Sequence, residues 1–473
     1  MFTIFDDQLD AFARHTLADH CQFDAGGWSA PDLERHQLDN LRNTLSYVRE
    51  RSPFYARQLG KLDESSIRQM TFEAFSRVSF TTKHDLRQQM YDMLSKPVAR
   101  AWVFYETTGT TGRSTPCPRD NVDSLVNNTA LTVCYRPVFR QHGDEHVVAV
   151  LGPTELHSTG DTFGDVCRNL GYTVVKTWPH SPVVGFPRAL AVLRELRVTA
   201  VFCTPGMAMS LAKQAIAAGL DTRRDFSIRL FMFTGELATP GLLTSIGRVW
   251  DATAYNCLYA SQEASVLGVV HADGRLRTVP LNVHYELIDP QTGRPVPVAA
   301  DHQVGELVIT HLYQGSKPLI RYRTGDLVRL DPPAPADRYP SRTLRPLGRV
   351  RDVIDLNGFP VNAYELEDLV LSRLVGAMDY EITIDRISGV DTLGVTVESS
   401  GDSPLDQRRA AGLADAAAQA WRCPLSVTYR KLGAITSTGA MVSWKAARVH
   451  DRRQEPDAER RAALGIARQR EQR

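Results

Sequence analysis

The chain has 473 residues, enough for a large hydrophobic core and for two to four structural units. Its 55 basic and 54 acidic side chains give a formal net charge of +1, so no electrostatic footprint for nucleic acid is present. Hydrophobic residues make up 43%, and no apolar run reaches the roughly 18 residues of a spanning helix, which argues against a membrane protein.

The start, "MFTIFDDQLD", is acidic and lacks the basic and apolar parts of a signal peptide. Cys21, Cys117, Cys134, Cys167, Cys203, Cys257 and Cys423 form no CxxC pair. That scatter fits reduced thiols in a cytoplasmic protein and speaks against a disulfide framework or a cysteine zinc site. Residues 1 to about 100 read as mostly helical, with stretches such as "LDNLRNTLSYVRER" and "SPFYARQL". Next comes "FYETTGTTGRSTPCPRD", residues 104–120, with five threonines and two glycines crowded around Arg113. Gly109 and Gly112 leave the backbone pliant; exposed N–H groups, the hydroxyls of Thr107, Thr108, Thr110 and Thr111, and the Arg113 charge suit a polyphosphate. Taken alone, such a stretch is equally an ordinary polar turn.

From His146 to about Tyr259, β-branched runs ("HVVAVLG", "YTVVKTW", "TAVFCTP", "IRLFMFTG") alternate with helical segments, which predicts parallel sheet covered by helices. Residues 265–330 alternate at period two between Asp-Gly and Thr-Gly turns, predicting an antiparallel, barrel-like portion. After "DPPAPADRYPS" lies a smaller unit with strands "YEITIDRI", "TLGVTVES" and "LSVTYRK" and an alanine-rich helix near 405–421. The last twenty residues are mostly charged or small, as in a solvated helix or frayed tail.

Four further stretches follow the threonine-rich one in order: "LYASQEA" (258–264), "YRTGDLVRL" (322–330), "GRVRDVIDLNGFPVNAYELEDLV" (348–370) and "TSTGAMVSWKAARVHD" (436–451). Together the five resemble the core motifs of the adenylate-forming ligases, which include acyl-CoA synthetases, peptide-synthetase adenylation domains and luciferases. "RERSPFYARQL", "FTTKHDLRQQM", "FCTPGMAMSL" and "KPLIRYRTGDLVRL" look most like the phenylacetate–CoA ligase branch. The likeness runs from about residue 40 to residue 451.

The resemblance implies an α/β fold. A large N-terminal domain over 1–351 would carry parallel sheets and the barrel-like portion, and a small mobile α+β lid would span 352–473. It implies activation of a small, aromatic carboxylic acid by ATP and Mg²⁺ as an acyl-adenylate, followed by transfer to coenzyme A. Two anions must meet and a third must leave, so charge must be neutralised and the attack aligned. The 107–115 loop would wrap the phosphates, with Arg113 where relatives carry lysine. Glu263 would hold Mg²⁺ on those phosphates. Tyr259 and Ala260 would lie at the adenine and Ser261 near the acyl phosphate. Asp326 would accept the ribose hydroxyls, with Arg349 assisting, and Asp352 would be the hinge.

By the same resemblance, Gly358 would lie on the lid face used in the second step, and Lys445 would bridge the carboxylate and α-phosphate. Trp444 departs from the glycine usual before that lysine. His157 would gate the acyl group, and Thr204, Pro205, Gly206, Gly235 and Glu236 would line the substrate and adenine side. No zinc is expected, because "GVVHADGRLRTVPLNVHYELID" holds histidines but no cysteine. A non-CoA acceptor (an amine or a hydroxyl) and a nucleotide-binding protein without catalysis are the competing readings. No nucleic-acid or membrane partner is expected, and a homodimer is left open.

Overall fold

The computed structural model describes residues 3–107, 114–297, 302–374, 377–399, 407–435 and 448–453. The N-terminal region is helical, as expected, with long helices Asp7–Asp24 and Ala30–Arg51 followed by short ones. Each of the first six helices starts on an Asp, Ser or Thr whose side chain accepts a backbone N–H of the first turn. A hairpin then joins β1 (Val103–Glu106) to β2 (Pro116–Arg119).

One eleven-stranded sheet organises the next 200 or so residues. Its parallel part comprises β3 (Val147–Val150), β4 (Thr173–Lys176), β5 (Ala200–Cys203), β6 (Leu230–Thr234) and the start of β7 (Thr253–Ser261). Its antiparallel part continues through β8 (Ser265–Val270), β9 (Leu276–Thr278), β10 (Val283–Ile288), β11 (Gln303–His311), β12 (Tyr322–Asp331) and β13 (Thr343–Arg349). The strand order is β10-β11-β12-β13-β9-β8-β7-β6-β5-β3-β4. The expected barrel-like portion is thus the continuation of the parallel sheet, not a separate body.

Both faces of β3, β5 and β6 are buried, which is why these strands read as apolar runs. Val148, Val150, Ala200, Phe202, Leu230 and Met232 enter one core cluster, and the alternate residues Ala149, Val201, Cys203, Phe231 and Phe233 enter a second. That second cluster continues into the C-terminal part, taking in Leu366, Val370, Tyr380, Ile382 and Val395.

The C-terminal part opens with hairpin β14 (Ile354–Leu356) and β15 (Phe359–Val361). Asn357 (φ 53°) and Gly358 (φ 87°) make its turn, the left-handed pair that a two-residue Asn-Gly hairpin needs. A four-stranded sheet follows, in the order β18-β17-β16-β19: β16 (Asp379–Ile387), β17 (Val390–Ser399), β18 (Leu425–Lys431) and β19 (Val449–Asp451). Helices Ala363–Leu371 and Gln407–Trp421 accompany it. Six of the seven cysteines are buried and Cys21 is exposed; none is in a disulfide.

Polar contacts cross between the two sheets. Lys213 Nζ lies 2.7 Å from Asp379 and 3.2 Å from Glu398, and donates to the Ile435 carbonyl at 2.7 Å. Both carboxylates are fully buried. Replacing the lysine with methionine strands two buried charges, a loss of about 3 kcal/mol by the usual cost of breaking such a pair. Urea unfolding of Lys213→Met should show a lowered midpoint; an unchanged midpoint would mean that the contact contributes nothing.

Candidate active site

The sequence-predicted residues gather at two places. The first is the apex of the β7–β8 hairpin. Ser261 pairs with Ser265 in the ladder, and the Ser261 hydroxyl accepts from Ala264 N at 3.0 Å, tightening the turn. Glu263 therefore points inward from the turn and is only 8% exposed. A glutamate capping a strand in solvent would not be buried in this way. Burial alone would push its carboxyl up. The Lys83 ammonium, its own backbone N–H and the charges of Lys317 and Arg349 outweigh burial and hold it at about 2. Lys83 Nζ stands 3.4 Å from Glu263 Oε1, and the Tyr322 hydroxyl donates to the same oxygen at 3.2 Å.

Tyr259, on β7, donates its hydroxyl to Asp326 Oδ2 at 2.7 Å. Arg349 Nε stands 3.5 Å from Asp326 Oδ1, and the two residues are ladder partners on β12 and β13. Each oxygen of Asp326 has one such neighbour, and a carboxylate oxygen carries two lone pairs, so both can still accept a hydroxyl. Tyr322 and Asp326 lie four residues apart on one strand, hence on the same face. These bonds require a strongly curled sheet. Three strands separate β7 from β12, a flat span of about 19 Å at the usual strand spacing, yet their side chains touch.

The second place is the carboxyl ends of the parallel strands, where clefts form in open α/β sheets. Thr204 follows β5 and caps helix Pro205–Ala217, accepting from Met207 N at 3.1 Å. Gly235 and Glu236 follow β6, with Gly235 at φ 83°. Glu236 accepts from Gly206 N at 2.9 Å at that helix N-terminus, and Arg448 Nη2 stands 3.6 Å from it. Burial raises the Glu236 carboxyl, opposed by Arg448 and the Gly206 N–H. Arg448 also lies over the Tyr380 ring at 5.1 Å. Glu236 is therefore engaged by the C-terminal part.

His157 sits in the loop after β3, and its Nδ1 contacts Thr159 Oγ1 at 2.8 Å. Burial and the nearby Arg119 lower it to about 4, so it is a neutral imidazole at pH 7. Thr107 closes the neck of the threonine-rich loop: its N–H donates to Thr115 O at 3.0 Å and its hydroxyl accepts from Thr115 N at 2.9 Å. Thr108, Gly109, Thr110, Thr111, Gly112, Arg113, Trp444 and Lys445 lie outside the described residues. Ala260 and Ser261 lie on β7 beside Tyr259, and Asp352 ends the short turn Val350–Asp352 between β13 and β14. Sequence reasoning missed Lys83, Arg119, Gln262, Lys317 and Tyr322; their only signal was membership of the quoted motif stretches.

The AMP-binding enzyme family matches residues 49–313, more than half of the chain. The chain belongs to the AMP-binding enzyme family. Family members of known name include the phenylacetate-coenzyme A ligase of Pseudomonas putida, 27% identical over 380 residues, covering 78% of this chain and 82% of that enzyme. The Escherichia coli K12 enzyme of the same name is 26% identical over 386 residues, covering 78% and 83%. Among solved structures, 2-hydroxyisobutyryl-CoA ligase in the postadenylation state with R3-HIB-AMP matches 93% of each chain, with TM-score 0.74 and 20% identity. The same ligase with 2-HIB-AMP and CoA in its thioesterification state gives 0.60 at 22% identity and the same coverage. The fold is that of an acyl-adenylate-forming enzyme.

The depressed Glu263 carboxyl makes stability depend on pH. A group at about 2 in the folded chain against an ordinary 4.5 binds its proton more weakly there than when unfolded. Its contribution is complete above about pH 4.5 and is lost as the pH falls toward 2. Denaturant titrations should find Glu263→Gln less stable than the parent at pH 7, with the gap narrowing toward pH 3. A gap that is constant over that range would contradict the assigned ionisation.

Proposed function

We propose that the protein joins a small, aromatic carboxylic acid to the α-phosphate of ATP, releases pyrophosphate, and passes the acyl group to coenzyme A. The observation that carries this is the convergence of Tyr259, Asp326 and Arg349 with the buried, ionised Glu263 on two linked elements of an AMP-binding fold. The names of the related ligases support the CoA acceptor and the aromatic acid.

In this reading the Asp326 carboxylate receives the ribose hydroxyls and Tyr259 orients it. Ala260 and Ser261 flank the adenine and the acyl phosphate, and Thr107 anchors the loop of Thr108, Gly109, Thr110, Thr111, Gly112 and Arg113 on the phosphates. Glu263 fits Mg²⁺: it is ionised, and magnesium is commonly held by one or two carboxylates plus substrate phosphate oxygens. The ion would neutralise phosphate charge as pyrophosphate leaves. Lys83 and Tyr322 keep the carboxylate charged and oriented. His157, uncharged, faces the acid, with Thr204, Pro205, Gly206 and Gly235 along the cleft. Residues 1–351 form the adenylating domain, 352–473 the lid, and Asp352 the hinge that brings Lys445 in for the first step.

Carboxylate-dependent ATP–pyrophosphate exchange tests the activity. Exchange with aryl acids, followed by thioester formation with CoA, is the expected result; no exchange across aryl and alkyl acids overturns it. Product formed with hydroxylamine or an amine but not with CoA would shift the second step to another acceptor. Lys445→Ala should slow exchange by ~10²–10³, the usual loss for one preorganised electrostatic contact. A loss below about threefold would remove Lys445 from that role.

A further inference from the structure

Buried polar groups are nearly always paired, so several unpaired ones side by side need a reason. Lys317 is 5% exposed, and its Nζ has no hydrogen-bond partner among the described residues. Around it, Arg119 Nε, both ends of the Gln262 amide, and the hydroxyls of Thr115 and Ser316 are also buried and unpaired. These groups are neighbours. Arg119 Nη2 donates to the Gln262 carbonyl at 3.2 Å, Ser316 adjoins Lys317, and the Cys117 thiol on β2 feels Lys317, Glu263, Arg119 and Lys83 together. The Glu263 charge that Lys317 feels is shared with Lys83 and Arg349, and a desolvated ammonium with none of its N–H donors bonded is still costly, so a fold that keeps one has a use for it.

The loop that carries Lys317 is held rigidly. Ser95 N donates to Ser316 O at 2.8 Å, Ser316 N to Asp123 Oδ2 at 2.9 Å, and Ile320 N to the Tyr55 hydroxyl at 3.0 Å. A methyl on Gly315 would fall 2.0 Å from Asp123 Oδ1, so only glycine lets the loop approach that closely. The cluster reaches from Glu263, which feels Lys317, to His157, which feels Arg119. Arg119 stands beside His157 and over the Tyr105 ring at 5.2 Å, and it borders a cavity of about 280 Å³ shared with Tyr105 and Asn128. It makes no bond to the Tyr259–Asp326 pair among the described residues. Two buried cations and an amide donor here match an anion with several acceptor sites, which a carboxylate is.

We propose that Lys317, Arg119 and Gln262 form an anion subsite that receives a second carboxylate on the acid being activated, so that the preferred substrate is a dicarboxylic acid. This rests on the acid-activating reading above. The subsite sets specificity by leaving the Lys317 ammonium without a hydrogen-bond acceptor whenever a monoacid binds.

The test uses the full chain and matched acids: benzoate against isophthalate, phenylacetate against 2-carboxyphenylacetate, propionate against succinate. In ATP–pyrophosphate exchange at least one diacid should exceed its monoacid partner in kcat/KM by about tenfold or more. Lys317→Met should erase the diacid-to-monoacid ratio of kcat/KM, over and above any loss that both acids share through Glu263, and Lys317→Arg should keep part of it. If no diacid outperforms its partner, or if Lys317→Met slows both members of a pair equally, the subsite is refuted. Thermal unfolding without ATP gives an independent arm. The preferred diacid should raise Tm for the parent and not for Lys317→Met, each measured against its own unliganded Tm. Diacid stabilisation without any exchange would keep the subsite and defeat the ligase reading; exchange with monoacids alone would do the reverse.

Discussion

A carboxylate withdrawn from water stays charged only if cations and donors stand next to it. For Glu263 those neighbours come from different parts of the chain: Lys83 from the N-terminal helices, Tyr322 from β12, Lys317 from the loop before it. None can reach the apex of the β7–β8 hairpin unless the antiparallel half of the sheet bends back on itself. The Tyr259–Asp326 bond draws the same two strands together from the other side. The curl of the sheet and the charge of one glutamate are thus mutually dependent. An N-terminal helical region that looks peripheral in sequence supplies a cation to the middle of the site.

How far this was legible in sequence follows from which interactions are local. The parallel strands were visible because burial on both faces leaves only apolar residues in them, as in Val147–Val150 and Leu230–Thr234. Period-two alternation marked β10 to β12. That these strands continue the parallel sheet was not visible, because ladder neighbours such as β13 and β9 lie far apart in the chain. In the site, Tyr259, Glu263 and Asp326 stood in short motifs and were recognised together. Arg119, Gln262 and Lys317 were passed over, since a lone lysine in "QGSKPLI" carries no pattern until Ser95 and Asp123 fix where its loop sits. The contact of Glu236 with Arg448 was illegible for the same reason: the two lie far apart in the sequence.

Polar pairs cross the boundary between the two sheets beside the apolar cluster that both share. Arg448 meets Glu236, Lys213 meets Asp379 and Glu398, and Glu367 accepts from Thr239 N and Oγ1 at 3.3 and 3.0 Å. Charge pairs have sharp geometric demands, unlike apolar contacts, so they favour one arrangement over near neighbours.

The distribution of sulfur has a practical corollary. Cys21, on the helix Asp7–Asp24, is in contact with solvent, and burial holds Cys134, Cys167, Cys203 and Cys257 in their unreactive, protonated form. A maleimide dye or spin label offered to the folded protein would therefore couple once, without any engineered cysteine. Its attachment point lies on the opposite terminus from the segment bearing Arg448, which makes the native chain a ready-made donor site for distance measurements across the molecule.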